Sequence, residues 1–168
     1  MQADEHRHQF QGIIEQHKGI LLKVAHTYCR NEEDRQDLIQ EIMIQIWKSL
    51  HKYNDSYKIT TWLYRISLNV AISFYRKNVI RNKSNIPLNE KVYHIKEADQ
   101  SEKEQQIILL EQFINDLKEI DKALMLLYLE EKSHKEIAEI LGITETNVAT
   151  KVGRIKISLK QKFLNIKN

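Results

Sequence analysis

Residues 133–148 combine the features of two short helices that meet at a tight corner. Ser133 is followed three residues later by Glu136, a spacing that predicts a capping box at the start of the first helix. Gly142 suits the left-handed conformation that ends this helix, and Thr144 can cap the second. The apolar residues that two steeply crossing helices would bury are Ile137, Ala138, Leu141, Ile143, Val148, Val152 and Ile155. The pattern predicts a helix-turn-helix, whose second helix typically enters a DNA major groove; a plain helical hairpin is the alternative.

A second group of residues combines aromatic rings with cations. Tyr53 and Tyr57 lie between Lys52 and Lys58 in a short loop. The helix after this loop is apolar on more than one side and leaves one narrow polar strip, made of Arg65, Asn69, Ser73 and Arg76, followed by Lys77. Single-stranded nucleic acids are bound by stacking bases on aromatic rings and holding phosphates with cations. A tyrosine-rich loop that packs over a core is the simpler interpretation of the same residues.

The helix expected at 32–51 has two distinct faces. Its apolar stripe, typical of a helix that packs on a core, comprises Leu38, Ile39, Ile42, Met43, Ile46, Trp47 and Leu50. On the opposite face, Asp37, Gln40, Glu41 and Lys48 surround Ile44. An isoleucine among carboxylates and an amide is suited to dock a partner protein, although single exposed apolar residues are common.

Seven histidines raise the question of a metal site. His26 and Cys29 are three residues apart on a predicted helix, and His6 and His8 lie near the N-terminus. A tetrahedral zinc site needs about four ligands, and the sequence offers no second pair at a suitable spacing. It also lacks a phosphate-binding glycine loop, a nucleophile elbow and an HExxH helix. We therefore expect no metal, no cofactor and no enzymatic activity.

The composition predicts an all-α protein. Among 168 residues there are four glycines and one proline, and apolar residues recur mostly at intervals of three and four. The single Cys29 excludes a disulfide framework and suits a reducing cytoplasm. Residues 1–10 are polar and charged, unlike a signal peptide, and no apolar run approaches the roughly 20 residues that a membrane span requires. We expect a cytoplasmic protein without membrane insertion.

Charge is unevenly distributed although the net charge is only +3. Residues 101–130 contain three basic and seven acidic residues, a net charge of −4. Residues 131–168 contain eight basic and four acidic residues, a net charge of +4. A basic C-terminal end attached to a helix-turn-helix suits a phosphate backbone.

Periodicity and turn residues predict two small helical domains. Helices are expected at 4–30, 32–51, 60–79, 102–117, 121–131, 134–141 and 145–164, with an irregular stretch near 80–100. Residues 81–89 contain the only proline and several turn formers. We predict a domain at 1–80, a flexible linker at 81–101 and a domain at 102–168 that contains the helix-turn-helix.

Two stretches resemble conserved regions of bacterial sigma factors. The motif Asp37-Leu38-Ile39-Gln40-Glu41, then Trp47, then Thr61-Trp62-Leu63-Tyr64-Arg65-Ile66 and Asn69, is similar to their second region. Leu117 onward, through Tyr128, Ser133 and residues 136–143, is similar to their fourth region. Two such regions, joined by a short linker, resemble the extracytoplasmic-function (ECF) group of the sigma-70 family. The resemblance covers roughly residues 10–80 and 105–160.

The resemblance implies a protein that binds core RNA polymerase, recognises the −35 and −10 elements of promoter DNA, and helps to open the duplex. In the region 2-like domain, the polymerase-docking face would comprise Asp37, Gln40, Glu41, Ile44 and Lys48. Contacts with the −10 element, including capture of a flipped base, would come from Lys52, Tyr53, Asn54, Tyr57, Lys58, Thr61, Trp62, Arg65, Asn69, Arg76 and Lys77. In the region 4-like domain, contacts with the −35 element would come from Ser133, Thr144, Thr146, Asn147, Thr150, Lys151 and Arg154.

The chain departs from the family pattern at four positions. Lys118 stands where the family usually has proline, and Leu127 where it often has arginine. Ala149 and Gly153 occupy positions of the second helix that are often lysine, histidine or another polar residue. Fewer cations on this helix imply weaker contact with phosphates.

An anti-sigma factor is a further partner that the resemblance implies. Two other functions stay open on the sequence. One is a helix-turn-helix regulator that recruits polymerase without replacing its sigma subunit. The other is an interaction module that sequesters a partner and never contacts DNA.

Overall fold

The computed structural model describes residues 2–82 and 101–167, and this part of the chain is helical. The described residues form seven α-helices and one 3₁₀ turn, in this order: α1 Gln2–Tyr28, α2 Glu32–Ser49, the 3₁₀ turn Leu50–Lys52, α3 Ile59–Asn82, α4 Glu102–Asn115, α5 Glu119–Leu129, α6 His134–Leu141 and α7 Glu145–Lys167. The all-α prediction is confirmed. Residues 83–100, which hold most of the predicted linker, lie outside the described residues.

The chain divides into two compact units, and the main division along the sequence falls between Val79 and Ile80. The first unit holds α1, α2 and most of α3. Its core is formed by side chains that are at most 2% exposed: Leu21, Val24, Ala25, Leu38, Ile42, Ile46, Leu63 and Leu68. Within the described residues, no helix is long and apolar enough to cross a membrane.

The turn between α1 and α2 is fixed by two polar side chains. Asn31 caps α2, because its side-chain oxygen accepts a hydrogen bond of 2.8 Å from the Asp34 amide. Arg35 donates to the carbonyl oxygens of Cys29 and Arg30 at 3.1 and 3.0 Å. These bonds set the direction in which α2 leaves the turn, and α2 carries the predicted docking face.

The buried stripe of α2 is narrower than the sequence predicted. Ile39 and Met43 are only half-buried, and Trp47 is 39% exposed. Trp47 lies on the flank of the stripe, where side chains of α1 contact its ring. His6 and Phe10 make edge-to-face contacts with it, with ring centroids 4.3 and 5.2 Å away. His6 Nε2 also lies 3.3 Å from the Trp47 carbonyl oxygen, in the last turn of α2.

The second unit is built around α7, against which α4 and α5 pack. Phe113 of α4 is fully buried, and its ring centroid lies 5.0 Å from that of Phe163 of α7. Helix α4 begins with a capping box formed by Ser101 and Glu104, which the sequence analysis did not identify. This unit holds the predicted helix-turn-helix apart from Glu139–Leu141, the last three residues of α6, which are grouped with the first unit.

Helix α5 runs two residues earlier at each end than predicted, from Glu119 to Leu129. Its C-terminus is closed by the two amides beyond the cap residue Glu130: Glu131 N–H donates to the Tyr128 carbonyl at 3.0 Å, and Lys132 N–H to the Leu127 carbonyl at 3.1 Å. Glu131 adopts a left-handed φ of 57°. This is the pattern of a Schellman motif, in which glycine is the usual residue, so the sequence did not mark the helix end.

Candidate nucleic-acid interface

The corner between α6 and α7 is fixed by local hydrogen bonds. The Ser133 hydroxyl accepts from the Glu136 amide at 3.1 Å, and the Glu136 carboxylate accepts from the Ser133 amide at 2.9 Å. Gly142 has a φ of 68° and donates its N–H to the Ala138 carbonyl at 2.9 Å. The Thr144 hydroxyl accepts from the Asn147 amide at 3.1 Å. The predicted capping box, glycine corner and threonine cap are confirmed.

Buried apolar side chains of α6 and α7 pack together and stabilise the corner. Ile137 and Val148 are fully buried, and Val152 and Ile155 are at most 6% exposed. Leu141 and Ile143 are only half-buried, which corrects the prediction that both lie in the core. They flank Gly142, where the chain turns at the surface. The corner therefore presents α7 on a rigid support, as a helix-turn-helix requires.

The outward face of α7 carries four of the predicted DNA-reading side chains. Thr146, Asn147, Thr150 and Arg154 are exposed and, at 100° per residue, fall within an arc of about 100°. The Thr150 hydroxyl donates to the Thr146 carbonyl at 2.9 Å, so its oxygen remains able to accept a hydrogen bond. Ser133 and Thr144 are exposed as well, although their oxygens already accept bonds from the caps.

Lys151 differs from these four. Its ammonium lies 3.1 Å from the carboxylate of Asp121 on α5, and the residue is half-buried. The structure therefore places Lys151 at the edge of the packed face of α7, engaged with a carboxylate. Sequence reasoning missed Asp121, because the two residues are 30 positions apart and no motif links them.

The aromatic loop at 53–58 is held against the start of α3. The Tyr53 hydroxyl donates to the Tyr57 carbonyl at 3.0 Å, and the Tyr53 and Trp62 rings lie 5.0 Å apart. The guanidinium of Arg65 lies over the Tyr57 ring at 5.4 Å. Tyr57 keeps 43% of its surface exposed. The loop thus offers an aromatic ring with a cation beside it.

The other residues predicted to contact the −10 element differ in exposure. The exposed ones are Lys52, Asn54, Lys58, Asn69, Arg76 and Lys77, and the half-buried ones are Tyr53, Trp62 and Arg65. Thr61 is only 5% exposed, so the structure does not place its side chain on the surface with the others. It lies in the first turn of α3, on the side that packs inward. The polar strip itself, Arg65, Asn69, Ser73 and Arg76, falls within an arc of about 80°.

A groove of about 310 Å³ runs between α2 and α3 beside this strip. Its lining combines the apolar side chains of Ile66 and Val70 with the polar ones of Glu41, Gln45, Asn69 and Ser73. Sequence reasoning did not select Gln45, although it follows Glu41 by one helical turn. The groove brings Glu41 of the predicted docking face and Asn69 of the predicted DNA strip to one depression.

The predicted docking face of α2 is exposed throughout. Asp37, Gln40, Glu41, Ile44 and Lys48 fall within an arc of about 100°, and Ile44 is 52% exposed. Among the described residues, no three or more His, Cys, Asp or Glu side chains are grouped so that they could hold a metal ion.

Comparison with known proteins supports the same two regions. Residues 13–79 match the family model Sigma-70 region 2, and residues 102–159 match Sigma-70, region 4. RNA polymerase sigma factor SigZ of Bacillus subtilis (strain 168) is 30% identical over 148 residues, which span 86% of this chain and 81% of SigZ. ECF RNA polymerase sigma factor SigW of the same strain is 28% identical over an alignment of 174 positions including gaps, which covers 94% of this chain and 90% of SigW.

The fold is also similar to that of a solved sigma factor. RpoE from Bartonella quintana, crystallised with the anti-sigma factor NepR, superposes with a TM-score of 0.66 at 16% identity, covering 98% of this chain and 99% of RpoE. Because both regions are matched in this order and a relative is similar over most of its length, the chain belongs to the extracytoplasmic-function group of the sigma-70 family.

Proposed function

We propose that this sigma factor directs core RNA polymerase to its promoters and takes part in opening the DNA, with one step assigned to each surface described above. The observation that carries the proposal is the presence of regions 2 and 4 in one chain, each with an accessible polar face. A regulator that only recruits a complete polymerase would need the helix-turn-helix but no region 2.

The docking face of α2, Asp37, Gln40, Glu41, Ile44 and Lys48, binds the core enzyme. When a partner protein binds, the exposed Ile44 side chain would be buried in the interface, and the charged and amide groups around it would favour a partner of complementary charge. Residues with this exposure contribute little to the fold of the free protein, so they are available for an external contact.

The loop at 53–58 and the strip on α3 bind the melted −10 element. Tyr57 and the Tyr53–Trp62 pair supply aromatic surface for an unstacked base, and Lys52 and Lys58 supply charge for its phosphates. Asn69 presents an amide at the groove between α2 and α3, where it can bind a base edge. Because the loop is already tethered by Tyr53 and Arg65, little ordering entropy is lost on binding.

The outward face of α7 binds the −35 element in the major groove. Asn147 is suited to pair with adenine, Arg154 with guanine or a phosphate, and Thr146 and Thr150 with base edges or thymine methyl groups. Ser133 and Thr144 lie at helix N-termini, where a hydroxyl and backbone amides can hold a phosphate.

An anti-sigma factor is the regulator that we propose for this chain, by analogy with RpoE, whose solved structure contains one. We place the activity in the cytoplasm, where polymerase and chromosomal DNA meet. We also assign no catalytic reaction to the chain, because nucleotide addition belongs to the core enzyme.

Run-off transcription tests the proposal directly. The DNA upstream of the chain's own gene would be transcribed by purified core polymerase with and without the protein. Specific transcripts that require both components support a sigma factor. Transcripts that appear only when another sigma subunit is added would support the recruited regulator instead, and no promoter binding in any combination would support a module that does not act on DNA.

A further inference from the structure

Two lysines of α7 contact α5 from opposite edges of the packed face. Lys151 forms its ion pair with Asp121 in the first turn of α5 at 3.1 Å. Lys156 donates to the Tyr128 hydroxyl at 3.0 Å, and its ammonium lies 5.2 Å from the centre of that ring. Asp121 and Tyr128 are seven residues apart and therefore lie on one face of α5.

The positions of these lysines around α7 are symmetrical. The buried stripe of α7 consists of Val148, Val152, Ile155 and Leu159. At 100° per residue, Lys151 and Lys156 each lie about 70° from the centre of this stripe, on opposite sides. A helix held only by a stripe of aliphatic side chains can rotate slightly about its axis, whereas contacts on both flanks oppose rotation in either direction.

The rotational setting of α7 decides which side chains meet the DNA bases. Thr146, Asn147, Thr150 and Arg154 lie nearly opposite the buried stripe, and one residue step turns a helix by 100°. Base recognition depends on hydrogen bonds whose distances tolerate only a few tenths of an ångström. A small rotation of α7 would therefore weaken contacts with the correct bases more than contacts with phosphates.

We infer that Asp121, through its ion pair with Lys151, is a positioning residue that fixes the rotation of the recognition helix, and that Lys151 is not a phosphate contact. This inference rests on the proposed function of α7 in reading the −35 element. It leaves Arg154 as the cation on the outward face of the helix. Arg154 is exposed, and no ion pair to another described residue involves it.

The experiment measures binding of the full chain, assembled with core polymerase, to its own promoter and to a copy with an altered −35 element, across a salt series. We expect Asp121→Ala and Lys151→Ala each to weaken binding to the native promoter about two- to fivefold, as for a partly exposed ion pair. The two effects should not add in the double variant, because both remove one interaction. Binding to the altered promoter should change less, and the salt slope should stay that of the parent.

The charge-swapped variant, Asp121→Lys with Lys151→Asp, separates the two roles of Lys151. If the pair positions the helix, the swap restores most of the binding that Lys151→Asp alone loses. If Lys151 contacts phosphate, an aspartate there repels DNA whatever occupies position 121, and the swap stays as weak as the single variant. Tighter binding by Asp121→Ala, or a salt slope lowered by about 0.9 in Lys151→Ala, would likewise overturn the inference.

Arg154→Ala is the matched control, because it removes one cation three residues further along the same helix. It should lower the salt slope or relax base preference, which Lys151→Ala should not do. If the parent protein itself fails to bind its promoter with core polymerase, the proposed function is wrong. If the parent binds but the swap does not recover, only the positioning role is wrong.

Discussion

Gly153 is a residue that the fold of this chain does not require. It lies inside α7, and a Cβ atom added there would meet no other atom within 4 Å. Glycine within a helix costs about 0.5–1 kcal/mol relative to alanine, because the unfolded backbone has more freedom to lose. We expect Gly153→Ala to raise the free energy of unfolding of the second unit by about that amount, measured by chemical denaturation of the full chain.

The same variant shows whether the glycine serves an external contact. Gly153 lies beside Thr146 and Thr150 on the outward side of α7. If DNA approaches the backbone there, Gly153→Ala gains stability and loses promoter affinity. A gain in stability with unchanged promoter affinity would show that the glycine has no role in DNA approach, and no gain in stability would contradict the helix argument. Ala149→Gly on the same helix is the reverse control and should lose stability.

At the scale of an element, the backbone conformation of Glu131 at the end of α5 lowers the stability of the folded state. Glu131 occupies the left-handed region, which costs a residue with a side chain roughly 1–2 kcal/mol. Glu131→Gly removes this cost but also increases the conformational entropy of the unfolded chain, which opposes the gain. The net effect should be a free energy of unfolding raised by about 0.5–1 kcal/mol. The control is Glu130→Gly, because Glu130 has an ordinary φ of −81° and gains nothing from glycine. Equal effects of the two variants in a denaturation experiment would show that the Glu131 backbone carries no such cost.

The sequence predicted the bounds of an element correctly where the residues that determine them are close together along the chain. The capping box at Ser133 and the glycine at 142 gave the bounds of α6 correctly, because both act within a few residues. The end of α5 was misplaced because a glutamate occupies the position that glycine usually marks. Residue spacing alone could not predict three features that depend on tertiary packing. These are the burial of Thr61, the contact of α1 side chains with Trp47, and the ion pair between Asp121 and Lys151.

At the scale of the whole molecule, docking on polymerase and reading DNA should be separable. Charge reversal of Asp37 and Glu41 to lysine should abolish co-purification with core polymerase, because both carboxylates lie on the exposed docking face. Circular dichroism should be unchanged, since neither residue is buried. Reversal of Glu15, an exposed carboxylate on α1 in the same unit, is the control. If the Asp37 and Glu41 variant still co-purifies with core enzyme, the docking face is wrongly placed.

Opening of the promoter should depend on the loop at 53–58 and on Asn69, both in the first unit. Replacing residues 53–58 by glycine and serine removes the aromatic surface, and Asn69→Ala removes the amide at the groove. We expect closed complexes to form nearly as before, while permanganate reactivity of promoter thymines is lost. A pre-melted template should rescue a defect confined to opening. Normal thymine reactivity in the variants would assign melting to another part of the complex.

The placement of the two tryptophans gives the chain its own optical reporters. Trp47 lies half-exposed near the docking face, in contact with the His6 ring, and Trp62 contacts the Tyr53 ring at the aromatic loop. The sequence contains no other tryptophan. In a Trp62→Phe protein, the tryptophan fluorescence of the chain would therefore come from the α2 surface alone, and in a Trp47→Phe protein from the loop alone. Stopped-flow emission from the two proteins, after subtraction of the signal from a Trp47→Phe, Trp62→Phe double variant, would then time the arrival of polymerase and the capture of the melted strand as separate events, without an attached dye.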